Sequence, residues 1–454
     1  MSNRTRTTNG AVAFKSTGNN LVNFFFNVGA ARNNLPLAKS SFELAFAQDS
    51  TKAAAILLWA RDIRHGGAGE RNVFRTVFAD LLKEDLALAE KVLRLIPDCG
   101  RFDDLQVAYN TKLESLAVAI WVDALANGNA LAFKWADRSD KKLQAALKLN
   151  EAGLRKFISK GRKDTIVETA MCDGKWDNIA YDKLPSVAGL RYSKAFKKHD
   201  ESRYTEFMGN KDTKVNASVA YPHDVYRLFK NSPGDDAAAS KYWENLAELV
   251  AEGNILPMCD VSGSMGCAAS GDISCMDVSV SLGVYLAQRI KGKFNGKLLT
   301  FSEDPTLVSL PKSKKLGDLF GFVGSMEWGM NTNFDKAFKA ILAEAVKFKV
   351  AAADMPSMLL VLSDMQFDQS SRGTSNHDTM KAEFARNGYK MPKVCYWNLN
   401  ASNGSFPTMG SEKNVALVSG FSPKVLEAVL SAKEFSPESV MNEAIQPFVK
   451  MLDK

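Results

Sequence analysis

The sequence predicts two architectures in tandem: an α-helical, HEAT-like solenoid over residues 41–250, then a doubly wound α/β domain over residues 251–454. Three observations carry this. Apolar residues recur at three- and four-residue spacing through most of residues 42–250, with almost no β-branched run between them. Near Asn254 the texture changes to short apolar runs alternating with helical patterns, as expected of a sheet wrapped by helices. One of those runs, residues 358–362, is wholly apolar and so belongs at the centre of a parallel sheet covered on both faces.

Residues 1–40 are rich in Asn, Thr, Ser and Gly and read as an N-terminal arm with one apolar knot at residues 21–26. Helical spacing then runs over residues 42–63 and 72–88, separated by a glycine-rich basic loop, Arg61-Asp62-Ile63-Arg64-His65-Gly66-Gly67-Ala68-Gly69-Glu70-Arg71. Further amphipathic stretches cover 102–127, 129–148, 151–159, 186–199, 222–230 and 237–250. Successive helices with short connections point to a solenoid, although no fixed repeat period is visible. Beyond Asn254, strands are expected at 255–259, 297–301, 307–310, 358–362, 393–397 and 415–418, and helices at 276–290, 334–348, 423–430 and 437–451.

With 46% hydrophobic and 24% charged residues among 454, the chain can fill real cores, and the composition argues against long disorder. No run of about 18 apolar residues appears, so a membrane span is not expected. The polar start, Met1-Ser2-Asn3-Arg4, lacks the apolar core of a secretion signal. Six scattered cysteines without a CxxC pair, and only four histidines, argue against a disulfide framework or a structural zinc site. A cytoplasmic location is the expectation. The net charge of +7 lies wholly in residues 1–250, where 37 Lys and Arg face 30 Asp and Glu; the remainder carries 21 of each. A basic region of that kind suits a polyanion, although plain solvated surfaces are often as basic.

The α/β half holds the chemistry. Directly after its first strand comes Asp260-Val261-Ser262-Gly263-Ser264, with a carboxylate and two hydroxyls at alternate positions. Such oxygen donors, without His or Cys, suit Mg²⁺ above all, with Mn²⁺ or Ca²⁺ as alternatives, at about 2.1 Å in an octahedral Mg²⁺ site. A second loop, Trp328-Gly329-Met330-Asn331-Thr332-Asn333, offers Thr332, and the strand over 358–363 ends at Asp364. All three would hang from one edge of one sheet, where doubly wound folds bind ligands. The competing reading is that these side chains only cap helices. Asp368 stands either behind the ligands or at a helix cap. No nucleophile–base pair, P-loop or dinucleotide fingerprint accompanies the site, so an enzyme is not expected.

This constellation resembles the metal-ion-dependent adhesion site of von Willebrand A domains. The resemblance makes Ser262, Ser264 and Thr332 metal ligands, with Asp260 and Asp364 acting directly or through water. It also implies an open coordination position for an acidic group of a protein partner. The second loop departs from the usual Gly-Gly-Thr, reading Gly-Met-Asn-Thr-Asn. A helical array followed by an A domain further resembles the Ro ribonucleoprotein family, in which a HEAT-repeat (TROVE) ring is closed by an A domain. The stretches nearest to a Ro-like branch of plants, fungi and viruses are 9–11, 16–26, 61–71, 183–188, 192–200, 221–224 and 363–368.

The resemblance implies a single-stranded or structured small RNA as ligand. Lys160, Arg162, Lys163, Lys194, Lys197, Lys198 and His199 are candidate phosphate contacts, and Tyr192 and Phe196 interleave with them as candidate stacking platforms. The plainer alternative packs Phe196 between helices and leaves the lysines merely solvated. His199 and His223 invite an acid–base reading, against which stands a simple role at a helix end.

Overall fold

The computed structural model describes residues 3–6, 12–162, 167–231, 236–246, 254–270, 272–300, 304–313, 315–326, 334–365, 377–401, 404–422, 425–432 and 434–454. The chain is an N-terminal helical region followed by a domain built on a mixed parallel and antiparallel sheet. After a small hairpin, β1 (Arg4–Arg6) and β2 (Val12–Phe14), come α1 (Asn20–Val28), α2 (Leu35–Gln48), α3 (Ser50–Arg61), α4 (Arg71–Glu84), α5 (Leu86–Cys99), α6 (Glu114–Ala126), α7 (Ala130–Trp135), α8 (Lys141–Leu147) and α9 (Glu151–Gly161). Then follow α10 (Val167–Cys172), α11 (Ser186–Arg191), α12 (Ser193–His199), α13 (Glu201–Gly209), α14 (Pro222–Asn231) and α15 (Asp236–Glu244).

Side-chain caps set many of these helix starts. Asn19, Asn34, Asp49, Asp85, Asn129, Asp140 and Asn150 each accept backbone N–H bonds from the first turn that follows. The expected helix over 129–148 is therefore two. Asp137 accepts from the N–H and hydroxyl of Ser139 at 2.8 Å, and Asp140 then starts α8. The helix expected over 186–199 likewise divides at Tyr192. Ala-Ala-Ala-Ile-Leu-Leu-Trp-Ala in α3 is apolar on every face, and residues 53–61 are buried throughout.

The second half runs β3 (Ile255–Cys259), the hairpin β4 (Ala268–Ser270) and β5 (Ile273–Ser274), α16 (Cys275–Ala287), β6 (Lys297–Thr300), β7 (Leu307–Ser309), α17 (Leu316–Gly324) and α18 (Phe334–Lys347). It ends with β8 (Met358–Ser363), α19 (His377–Arg386), β9 (Lys393–Asn398), β10 (Val415–Ser419), α20 (Val425–Ser431) and α21 (Pro437–Leu452). The main sheet has the order β10-β9-β8-β3-β6-β7, parallel except for the edge pair β6–β7. Every residue of β8 is buried, as its apolar run foretold. The chain leaves β3 toward β6 on one side and returns to β8 on the other. The strand order therefore reverses between β3 and β8, which puts the topological switch point at their carboxyl ends.

The N-terminal arm is not an arm. Phe24, Phe25 and Phe26 are fully buried, and α1 packs on β10. Phe14 and Phe406 exchange backbone hydrogen bonds at 2.9 and 3.0 Å. Ser419 Oγ accepts from Gly29 N at 3.1 Å and donates to Phe25 O at 3.0 Å. A Cβ at Gly29 would lie 2.5 Å from that hydroxyl, so glycine permits the approach. So apolar a helix needs a wide apolar partner, and it finds one some 390 residues away. At the other end, α21 packs on both β10 and α3, so the two termini close the molecule together.

The seam between the halves is partly polar. Arg32 pairs with Glu70, donates to Gly29 O at 2.9 Å, and lies 3.5 Å above the Phe421 ring. His223, in the first turn of α14, is buried edge-on against Phe421. Burial holds its imidazole below the ordinary 6.5, with Arg227 and Arg32 acting in the same direction against Asp224 and Asp277. The unfolded chain therefore takes a proton that the folded chain refuses. This part of the stability is complete above about pH 6.5 and is lost as the pH falls toward the folded value, by at most about 1.4 kcal/mol per unit. Urea unfolding at pH 7.5 and 5.5 should show a smaller acid loss in His223→Gln than in the wild type; equal losses would discard the effect.

Candidate metal centre

Asp260 is the first residue past β3, and its N–H still bonds Leu362 O of β8 at 2.9 Å. The ladder thus reaches one residue beyond the strand and sets Asp260 beside the end of β8. Its side chain is buried. Oδ1 accepts from Ser262 N at 2.8 Å, and Oδ2 accepts from Ser363 Oγ at 2.7 Å. Ser363 Oγ in turn accepts from Met365 N at 3.0 Å. Met365 has φ +62°, a left-handed conformation that turns the chain sharply away from the strand just after Asp364. Asp364 is also buried.

Opposite these carboxylates, a turn over Gly263–Gly266 presents two hydroxyls outward. Ser262 Oγ and Ser264 Oγ lie 3.1 Å apart, while Met265 plugs the core beneath them. Burial pushes the Asp260 carboxyl up to about 6, and the Asp364 charge adds to the push against its hydrogen bonds. Two buried carboxylates beside two adjacent hydroxyls form an all-oxygen donor set with excess negative charge. A hard divalent cation would relieve that excess, so the residues fit Mg²⁺, Mn²⁺ or Ca²⁺. Thr332 and Asp368 lie outside the described residues.

A second cluster is not visible in the sequence, because Cys99 comes far along the chain from the glycine-rich loop that holds Asp62 and His65. Ligand atoms of Asp62, His65 and Cys99 lie within 4.8 Å of one another, a spacing that could hold a metal. Asp62 Oδ2 already accepts from the N–H groups of Arg64, His65 and Gly67 at 3.1, 2.6 and 3.0 Å. Its Oδ1 lies 2.8 Å from His65 Nδ1, and burial pushes the Cys99 thiol up to about 12. With a saturated carboxylate and a protonated thiol, the trio as it stands anchors the glycine-rich loop. Gly67 belongs to the same device, since a Cβ there would sit 2.3 Å from Trp59 O.

The residues expected to meet RNA divide into two groups. Phe196 cannot stack on a base, because it is fully buried among Trp176, Tyr181, Tyr192 and Tyr204. Arg162 is no free phosphate contact either; its guanidinium donates to the carbonyls of Phe133, Lys134 and Ala136 at 2.6 to 2.9 Å. Tyr192 is half-buried and donates to Glu168 Oε1 at 3.0 Å. Lys163 lies outside the described residues, whereas Lys160, Lys194, Lys197, Lys198 and His199 are exposed. The His199 ring stacks on Trp176 at 4.6 Å and 9°. Lys194 also lines a cavity of about 280 Å³ with Arg191, Arg227 and Asp224, over Leu190 and Leu228.

Fold and site together define a helical region joined to an α/β domain that carries an acidic, hydroxyl-lined site at its switch point. Residues 254–450 match the family model of a domain of unknown function, DUF7788, and residues 113–253 match another, DUF2828. The whole chain is also similar to an uncharacterized protein of Acanthamoeba polyphaga mimivirus. The two are 26% identical over 516 aligned residues, which cover 99% of this chain and 88% of that protein.

Proposed function

We propose that this protein is a metal- and RNA-binding scaffold of ribonucleoprotein type, a non-enzymatic relative of the Ro family. In this reading the helical region is a HEAT-like array and the α/β domain is a von Willebrand A domain. One observation carries the reading: the ends of adjacent parallel strands β3 and β8 bring Asp260, Ser262, Ser264 and Asp364 together at the point where strand order reverses. The ion is held there by the hydroxyls, with the carboxylates acting directly or through water and Thr332 as the further ligand that the resemblance implies. With neutral hydroxyls as its direct ligands, the cation keeps a demand for one more oxygen donor. A carboxylate of a protein partner meets that demand, so the metal acts as a grip and not as a reagent.

RNA contact is assigned to the exposed face of α12, which carries Lys194, Lys197, Lys198 and His199, the last stacked on the Trp176 ring. The aromatic platform is thus Trp176 in place of the buried Phe196. Filter binding of single-stranded RNA across a salt series tests this. Affinity should fall steeply with salt, and replacing Lys194, Lys197 and Lys198 together by alanine should lower the slope by about two to three units. Unpaired RNA should bind better than duplex.

The competing reading is a protein-interaction or viral structural scaffold that uses the metal site without RNA. The structural use of Phe196 and Arg162 favours it. No binding at low salt, or equal binding by the triple variant, would decide for it.

A further inference from the structure

Cys267 and Cys275 flank the β4–β5 hairpin that leaves the proposed metal loop. In sequence they are eight positions apart and form no CxxC pair. In space their sulfurs are 3.2 Å apart. Cys275 N donates to Cys267 O at 3.0 Å, one step outside the antiparallel pair Ala268–Ser274. Opposed residues of antiparallel strands have Cα atoms about 4.5–5.5 Å apart, inside the range that disulfides span. The sulfurs need to close by only about 1 Å to bond.

The two thiols also differ in access. Cys267 is half-buried, whereas Cys275 is buried and within 3.4 Å of Leu399 O. Contact with the Cys275 sulfur lowers the titration point of Cys267. The outer sulfur is therefore the attacking one and the inner sulfur the resolving one.

We propose that Cys267 and Cys275 are a redox modification site, a vicinal dithiol that small-molecule disulfides such as oxidised glutathione convert to an intramolecular disulfide. The Cys267 thiolate attacks one sulfur of the small disulfide, forming a mixed disulfide and releasing one thiolate. Cys275, losing its proton, attacks Cys267 Sγ and releases the second. Two protein thiols are oxidised by two electrons, one small disulfide is reduced to two thiols, and the two protons pass to those thiols.

The linkage bears on the metal loop through its position. Cys267 directly follows the turn Gly263–Gly266 that carries Ser264, and Cys275 is the first residue of α16, which packs behind β3. A covalent bond there fixes the exit of the loop to a rigid helix and pre-organises its hydroxyls. The same hairpin touches the helical region, where Asn33 donates to Ala268 O at 3.1 Å.

Full-length protein incubated with oxidised glutathione and mapped by non-reducing mass spectrometry tests the linkage. The expected product is a peptide cross-linked between Cys267 and Cys275, while the exposed lone Cys172 carries a glutathione adduct. In Cys275→Ser the adduct should persist at Cys267. Modification of Cys172 with Cys267 and Cys275 untouched would overturn the proposal, as would a wild type that stops at the mixed disulfide. The consequence for the metal rests on the proposed metal function, and titration of Mg²⁺ into oxidised and reduced protein reads it. Binding severalfold tighter in the oxidised form is expected, and equal affinity would overturn the coupling. Unchanged Mg²⁺ affinity in Asp260→Ala would instead remove the metal reading and leave the cross-link standing.

Discussion

Replacing Asp260 by alanine should lower Mg²⁺ affinity at the proposed site by at least about 100-fold and leave the protein folded. The size follows from what the carboxylate does: it brings buried negative charge to the site and accepts from Ser262 N and Ser363 Oγ, which shape both strand ends. Losing groups that merely orient metal ligands already costs about 10- to 100-fold, and Asp260 combines that role with charge. The fold survives because burial has pushed this carboxyl up to about 6, so without metal the charge opposes the folded state. Calorimetric titration and thermal unfolding with and without Mg²⁺ check both halves of the expectation. The wild type should melt higher in Mg²⁺, by the linkage of binding to folding, and the variant should not. Unchanged affinity in the variant would show that the site lies elsewhere.

Asp104→Ala has the largest expected effect on stability. Asp104 is fully buried in the turn Phe102–Ala108, and its two oxygens accept from Arg61 Nε at 2.7 Å and Arg75 Nε at 2.6 Å. It also accepts from Arg101 N at 3.0 Å. The network ties α3 and α4 to the turn that follows α5. Arg61 is only 3% exposed, so removing Asp104 strands a guanidinium away from water. Breaking one side of such a pair costs about 3–5 kcal/mol, most of it from the uncompensated charge. Arg75 is 30% exposed and can turn to solvent, so Arg75→Ala should cost much less. Chemical denaturation gives both numbers. A loss in Asp104→Ala of less than about 1 kcal/mol would mean that water reaches Arg61.

Both variants act on groups that differ in how visible they are in the chain. Asp260, Ser262 and Ser264 stand within five residues after an apolar strand, so alternation alone brings them to one point. Asp364 is equally plain, because the run Met-Leu-Leu-Val-Leu-Ser can only be a buried central strand and its end falls where ligands bind. Asp104 shows no such signal. Its partners Arg61 and Arg75 lie 43 and 29 residues away, and nothing local distinguishes it from a helix cap.

By itself, then, the sequence determined the six strands of the main sheet and most of the longer helices, the change of architecture near Asn254, and the side chains at the ends of β3 and β8, but not the hairpins β1–β2 and β4–β5 or the helices α10, α13, α17 and α19. Periodicity and turn chemistry encode these locally, because they report which face of an element must leave water. Tertiary structure alone decided which surface meets that face. It placed Phe24, Phe25 and Phe26 on β10, buried Phe196 in an aromatic cluster, spent Arg162 on three carbonyls, and set Cys267 against Cys275. Burial of an apolar face is non-directional, so the pattern states the need for cover without naming the cover. Only the closure of the whole chain, with α1 and α21 brought together over β10, selects the partner.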